Sequence, residues 1–333
     1  LHSFPTRRSS DLHIGLSVPA RVIPLPKTVS AEARRALSRS YPGAAVLPPE
    51  DDAEGWREMR KHMRAAMEQH GAQVRKTFPG TINDIVLGGV KAYELVPDDI
   101  PQRNSKRAVM YLHGGAYVAG GDFAAASAAL SLATEGRYRV YSVDYRLAPE
   151  QPYPAALDDA VAAYRAVIGK HAPRSVAVVG LSAGGGLAAA TILKARELGL
   201  PLPGAAVLLT PEADLTESGD TFQTHQYIDV VLKGSLSQTL TLYAAGHDLK
   251  DPYLSPVYGD FTAGFPPTFL QSGTRDLFLS NTVILHRALL RANVEAELHV
   301  FEAMPHAGFF GAPEDAEVLA AQLRFMDERL ALQ

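Results

Sequence analysis

The 333-residue chain has no cysteine. That excludes disulfides, thiolate metal sites and cysteine nucleophiles, and it makes the fold independent of compartment redox state. Long apolar runs are missing too: none reaches the roughly 18 residues of a membrane span, so no membrane partner is expected. Neither charge sign dominates. Thirty-two Lys and Arg face 36 Asp and Glu, a formal net charge of −4, and a nucleic-acid scaffold would usually be basic. No HExxH and no His/Asp cluster with ligand spacing occurs, so no metal is expected. What is present is ordinary globular material, 47% hydrophobic and 20% charged residues. The length suits two domains, or one α/β body with an insertion.

The amino terminus reads LHSFPTRRSSDL. Arg7 and Arg8 suggest a signal n-region, but Pro19, Arg21, Pro24, Pro26 and Lys27 interrupt any apolar h-region after it. A cytoplasmic location is the default expectation. Residues 1–12 resemble translated adapter sequence and are read as a non-native leader.

Residues 13–50 are rich in Pro, Ala and Arg without a strand pattern. Residues 52–70 predict a helix stopping near Gly71, with Trp56, Met59, Met63 and Met67 on one face. Strands are predicted at 90–96, 107–112, 139–144, 175–180, 205–209, 268–272 and 295–301. Helices fall between them at 123–136 (Asp122 as N-cap), 155–170, 184–198 and 280–293 (Ser280 as N-cap), and a last one covers 313–330 behind Pro313. Such alternation means an α/β fold, a mostly parallel sheet with helices on both faces. Residues 213–267 break it and read as a partly helical insertion. The expected organisation is an N-terminal cap segment (13–75), core (76–212), cap insertion (213–267) and core again (268–333).

Gly180-Leu181-Ser182-Ala183-Gly184 fits G-x-S-x-G. The bare pattern is weak; its position between a buried strand and a helix is what a nucleophile elbow requires. Ser182 is then the candidate nucleophile, and the Ala183 N–H, at a helix N-terminus, suits a developing oxyanion. A competing reading is a dinucleotide turn, because Gly184-Gly185-Gly186-Leu187-Ala188-Ala189 matches G-x-G-x-x-A and Glu212 lies near the end of the next strand. Against it, the first glycine of that motif should follow the strand directly.

His113-Gly114-Gly115-Ala116-Tyr117 follows a strand, as a loop offering backbone N–H donors would. HGGAYVAGGD, DYRLAPEQPYPAALDDA and GLSAGGG, in that order, resemble the hormone-sensitive-lipase group of α/β-hydrolases, the bacterial family IV esterases. The resemblance covers most of the chain after about residue 75. It implies an α/β-hydrolase fold with an eight-stranded sheet and an α-helical cap, ester hydrolysis without a cofactor, and oxyanion donors at Gly114, Gly115 and Ala183. It also implies a homodimer through the sheet edge at the last strand. Two departures stand out: Ala116 replaces a usual third glycine, and Leu181 replaces a usual Asp before the serine.

In this fold acid and base follow the last strands in the order Ser, acid, His. Asp276, in Gly273-Thr274-Arg275-Asp276, is the candidate acid, and His306, in Met304-Pro305-His306-Ala307, the candidate base. The other histidines, among them His62, His70, His286 and His299, read as structural, with His113 orienting the oxyanion loop. Arg146 and Glu150 read as an internal ion-pair network, Asp158 and Asp159 as helix-capping groups. Tyr117 and Phe309 are candidate pocket walls, with Leu181, Phe222 and Tyr227 as further candidates; the methionine stripe is the buried face of a helix or a wall for an acyl group. The reading is a serine carboxylesterase for short- to medium-chain esters of small molecules. A lactonase or aromatic-ester esterase with the same triad is the alternative, and a non-catalytic ligand receptor a more distant one.

Overall fold

Apolar runs between residues 80 and 301 assemble into one eight-stranded sheet. The structure is a computed structural model and describes residues 15, 18–38 and 47–331. The strands are β1 (Gly80–Leu87), β2 (Val90–Pro97), β3 (Ala108–Leu112), β4 (Arg139–Val143), β5 (Val176–Leu181), β6 (Ala205–Leu209), β7 (Thr268–Gly273) and β8 (Ala296–Phe301). Across the sheet they run β1-β2-β4-β3-β5-β6-β7-β8. The β1/β2 and β2/β4 pairs are antiparallel and every other pair is parallel.

The helices are α1 (Ala31–Ser38), α2 (Ala53–Thr77), α3 (Phe123–Ala128), α4 (Leu130–Thr134), α5 (Ala155–Ile168), α6 (Ala183–Glu197), α7 (Thr221–Thr224), α8 (Ser237–Ala244), α9 (Leu279–Arg291) and α10 (Pro313–Arg329). They cover both faces, so the central strands are apolar on both sides. In β5, Val176 and Val178 join a cluster with Leu187 and Leu193 of α6; Ala177 and Val179 join another with Phe325 and Met326 of α10. The parallel strands all end at one edge of the sheet, and the loops after β3, β5, β6, β7 and β8 gather there.

The structure departs from the sequence expectations in several elements. Helix α2 passes Gly71 and ends at Thr77, since one glycine in a helix costs only about 1 kcal/mol. The expected 123–136 helix is two short ones, and Asp122 makes no capping bond; its carboxylate pairs with Lys91 at 2.8 Å. Ser280 lies inside α9, and its hydroxyl accepts the Thr221 N–H instead. Asp159 does not cap α5 but takes the Arg146 guanidinium in a fork at 2.7–3.0 Å. Glu150 pairs with Arg60 of α2, which also donates to the carbonyls of Val118 and Ala148. Arg146 and Glu150 are thus both structural, each with its own partner. The edge strand β1 and the helix α1 were not foreseen: β1 is largely solvent-exposed and carries little periodic signal.

Trp56 is fully buried and donates to the Pro49 carbonyl at 2.9 Å, and Met59 packs on the main core. The Met63, Met67 and His70 side chains, and the leader at 1–12, lie outside the described residues. Among the described residues no helix is long and apolar enough to cross a membrane.

Candidate active site

The chain reverses sharply between β5 and α6, and Ser182 sits on the reversal with φ 58° and ψ −123°. A non-glycine residue in that region costs on the order of 1–3 kcal/mol and persists only where the surroundings impose it. They do here. A β-carbon on Gly180 would stand 2.0 Å from the Gly184 carbonyl oxygen, and one on Gly184 2.1 Å from that of Leu112. The Ser182 N–H donates to Leu209 O at 2.9 Å, and its carbonyl accepts from Gly185, Gly186 and Glu212. The elbow is therefore fastened to β3 and β6 by main chain on both sides.

Ser182, Asp276 and His306, expected from three separate motifs, meet at the carboxyl edge of the sheet. Ser182 Oγ lies 2.8 Å from His306 Nε2, and His306 Nδ1 lies 3.0 Å from Asp276 Oδ1. The partners set the tautomer: Nδ1–H donates to the carboxylate, leaving Nε2 to accept the serine proton. All three residues are buried. Asp276 is held in turn, its Oδ2 accepting the Ser272 hydroxyl at 2.6 Å and its Oδ1 the Phe278 N–H at 2.9 Å. Burial works to lower the basicity of His306, but the Asp276 hydrogen bond and the charges of Asp276, Asp229 and Glu212 outweigh it, and its pKa is raised. The Phe278 ring stands edge-on to the imidazole, centroids 4.8 Å apart.

Gly114 lies against the candidate nucleophile: a β-carbon there would be 3.0 Å from Ser182 Cβ and 3.7 Å from its Oγ. The N–H groups of Gly114, Gly115 and Ala183 donate to no other described residue. Three donors near one hydroxyl can receive the oxygen of a tetrahedral adduct. His113 holds this loop, donating from Nδ1 to Gly114 O at 2.7 Å and stacking on Tyr145, whose hydroxyl donates to His113 O. Burial lowers the His113 pKa and keeps the ring neutral.

The expected pocket residues scatter. Tyr117 is buried and stacked face to face on Tyr243, centroids 3.7 Å apart. Phe222 packs on Phe278, behind the imidazole. Phe309 is buried with Val29, Ala33 and Leu37 of the α1 region. Tyr227 is 82% exposed and packs on nothing central. Leu181 points to the opposite face of the sheet and lines a cavity of about 500 Å³ with Tyr111, Leu209, Met304 and Gln322. The dinucleotide reading fails on sterics. Gly186 is filled by this chain's own backbone, a β-carbon there falling 2.1 Å from Glu212 O, and Glu212 is itself buried.

Two carboxyl groups near the triad were not expected in these roles. Glu212 has neither oxygen hydrogen-bonded to a described residue, and burial pushes its carboxyl up to about 8. Asp229, fully buried, accepts backbone N–H bonds from the loops of both Asp276 and His306. Asp229 belongs to an insertion without periodicity, so nothing in the sequence distinguishes it from a surface aspartate. Among the described residues no group of three or more His, Asp or Glu could hold a metal ion.

Residues 109–310 match the family described as alpha/beta hydrolase fold. The chain belongs to that family. Within it this hydrolase falls in the hormone-sensitive-lipase group of ester hydrolases. It is 36% identical over 208 residues to an acetyl-hydrolase of Streptomyces hygroscopicus, covering 62% of this chain and 69% of the relative. It is 28% identical over 239 residues to an esterase of Acinetobacter venetianus, covering 70% and 77%. Among solved structures, that of esterase E25 superposes with a TM-score of 0.88 at 32% identity, covering 95% of this chain and 99% of the other. A hormone-sensitive lipase from a metagenome library superposes with a TM-score of 0.74 at 32% identity, covering 81% and 91%.

Proposed function

We propose that this hydrolase is a serine carboxylesterase acting on short- to medium-chain esters through an acyl-enzyme. The continuous Ser182–His306–Asp276 hydrogen-bond chain, at 2.8 and 3.0 Å, carries the proposal. Ser182 Oγ attacks the ester carbonyl carbon while His306 Nε2 takes the hydroxyl proton. Asp276 keeps the imidazole in the tautomer that leaves Nε2 free and stabilises its cation. The carbonyl oxygen becomes an oxyanion received by the N–H groups of Gly114, Gly115 and Ala183, each worth on the order of 3 kcal/mol in the transition state. The C–O bond to the alcohol breaks, and the His306 proton leaves with the alcohol. Water, giving its proton to His306, then attacks the acyl-serine, and collapse of the second adduct returns acid and free Ser182.

Residues 13–75 and 213–267 act together as the cap. Supporting this, Gln238 Nε2 donates to Pro48 O at 2.6 Å, and Tyr243 O accepts from Tyr153 N, the latter in the loop that follows β4. A covered site favours small acyl groups, consistent with the acetyl-hydrolase among the relatives. The β8 edge, unpaired among the described residues, is where a homodimer would extend the sheet.

Hydrolysis of p-nitrophenyl acetate, butyrate, octanoate and palmitate tests the reading. Wild type should turn over the short esters, and Ser182→Ala should lose about a millionfold in kcat, as serine proteases do without their nucleophile. Equal activity in the two proteins refutes the nucleophile; rates rising steadily to palmitate refute the chain-length preference.

A further inference from the structure

Asp229 lies in the segment after β6, 47 positions before Asp276 in the numbering and 77 before His306. Its side chain is fully buried. Oδ2 accepts the Leu277 N–H at 2.9 Å and the His306 N–H at 3.2 Å. Oδ1 accepts the N–H groups of Val231 at 2.8 Å and Leu232 at 3.2 Å. Every partner is a donor and none can accept a proton from Asp229, so this pattern fits only the carboxylate. Leu277 directly follows the candidate acid, and His306 is the candidate base. A single anion thus touches the backbone of both loops at the point where each presents its side chain.

We propose that Asp229 is a positioning residue of the hydrolase, fastening the loops of Asp276 and His306 to each other and to the segment after β6. The proposal rests on the triad as read above. Asp276 is clamped through its carboxylate by Ser272 and Phe278, and His306 by Asp276 and Ser182. Those bonds aim the side chains, and the two loops also meet directly, the Arg275 N–H donating to Met304 O at 3.2 Å and the Ala303 N–H to Thr274 Oγ1 at 2.7 Å. Asp229 ties both loops to the segment after β6, which is fastened to the elbow where the Glu212 N–H donates to Ser182 O at 3.0 Å and which also holds the acid loop through the Thr221 hydroxyl on Leu277 O and His225 Nδ1 on Asp276 O. A displacement of about 1 Å between base and nucleophile can cost a hundredfold in rate. Three carboxyl groups act on the imidazole, Asp276 after β7 and Glu212 and Asp229 after β6. Asp229 therefore also contributes negative charge beside His306, favouring its protonated form.

Asp229→Asn keeps the shape while replacing one acceptor oxygen by an amide that opposes backbone N–H groups. Wild type and Ser182→Ala are measured alongside, so that failure of the esterase reading shows as an inactive or Ser182-independent wild type. With p-nitrophenyl butyrate, Asp229→Asn should lower kcat by roughly tenfold to a hundredfold with KM little changed. The acid limb of its pH–rate profile should move to lower pH, because an anion beside the base is gone. Ser280→Ala is the comparison. It loosens the same segment through Thr221 N, 3.0 Å from Ser280 Oγ, and should lower stability without moving the acid limb. An Asp229→Asn protein with wild-type kcat, or with an unmoved acid limb, overturns the proposal. If Asp229→Asn does not fold, hydrogen exchange on the wild type decides. Leu277, His306, Val231 and Leu232 should open with one common protection, and rapid exchange of Val231 beside a protected His306 overturns it.

Discussion

Glu212→Gln should stabilise the protein, and by an amount that grows with pH. The carboxyl is 1% exposed, and neither oxygen has a hydrogen-bond partner among the described residues. Burial raises its pKa from 4.5 to about 8. A raised acid pKa means that ionisation opposes folding. The penalty is absent well below 4.5, where folded and unfolded chains are both protonated, and grows until pH passes about 8, where both are ionised. At about 1.4 kcal/mol per pH unit, the penalty is about 1 kcal/mol near pH 5 and approaches about 5 kcal/mol near pH 9. Gln has the same shape and no charge, so the variant escapes the penalty while leaving a similar unpaired dipole. Equilibrium urea unfolding of both proteins should therefore give a stability difference about 4 kcal/mol larger at about pH 9 than at about pH 5, the upper figure for a site that does not relax. A difference that stays constant within about 0.5 kcal/mol across that range refutes the reasoning, and means that Glu212 is hydrated or paired.

The elbow and the base make two further predictions. Gly180→Ala places a methyl group 2.0 Å from the Gly184 oxygen, backbone against backbone, and should cost at least about 3 kcal/mol in thermal or urea unfolding together with most of the esterase activity. In wild type, kcat/KM should fall on the acid side through a midpoint above the ordinary 6.5 of histidine, because the raised pKa of His306 removes the neutral base at a higher pH. A midpoint at or below 6.5 in the pH–rate profile contradicts that assignment.

The elements that the sequence makes legible are those buried on both sides. Strand β6 was predicted with its observed bounds, and β3, β5 and β7 within about a residue at each end, because apolar residues fill positions facing both helical layers; the half-buried edge strand β8 was placed equally well from its own short run. The loops carrying Ser182, Asp276 and His306 were legible because each follows such a strand directly. Where a residue's role depends on a distant partner, local sequence carries no mark of it. Asp159 looks like any acid opening a helix until Arg146 is seen across from it. Phe309 neighbours the base in sequence, yet faces α1. Asp229 reaches two loops that only the folded sheet brings together. Glu212 was noticed for its position after a strand, while its isolation from any hydrogen-bond partner is a property of the packed interior.

The order of the strands also bears on biosynthesis. Ser182 precedes His306 by 124 positions. At ~5–20 residues per second, a ribosome needs roughly 6–25 s to pass from one to the other. On the reading proposed above, the nascent chain would hold Ser182 and the Gly114–Gly115 loop throughout that interval without His306, so ester cleavage would await the loop after β8. For most of that time strand β6 also lacks β7, the neighbour that pairs it from Ala206 to Leu209. An unpaired apolar edge is what chaperones bind and what aggregates. For this hydrolase, the stage at which the growing chain most needs protection is the stage at which it can do no chemistry.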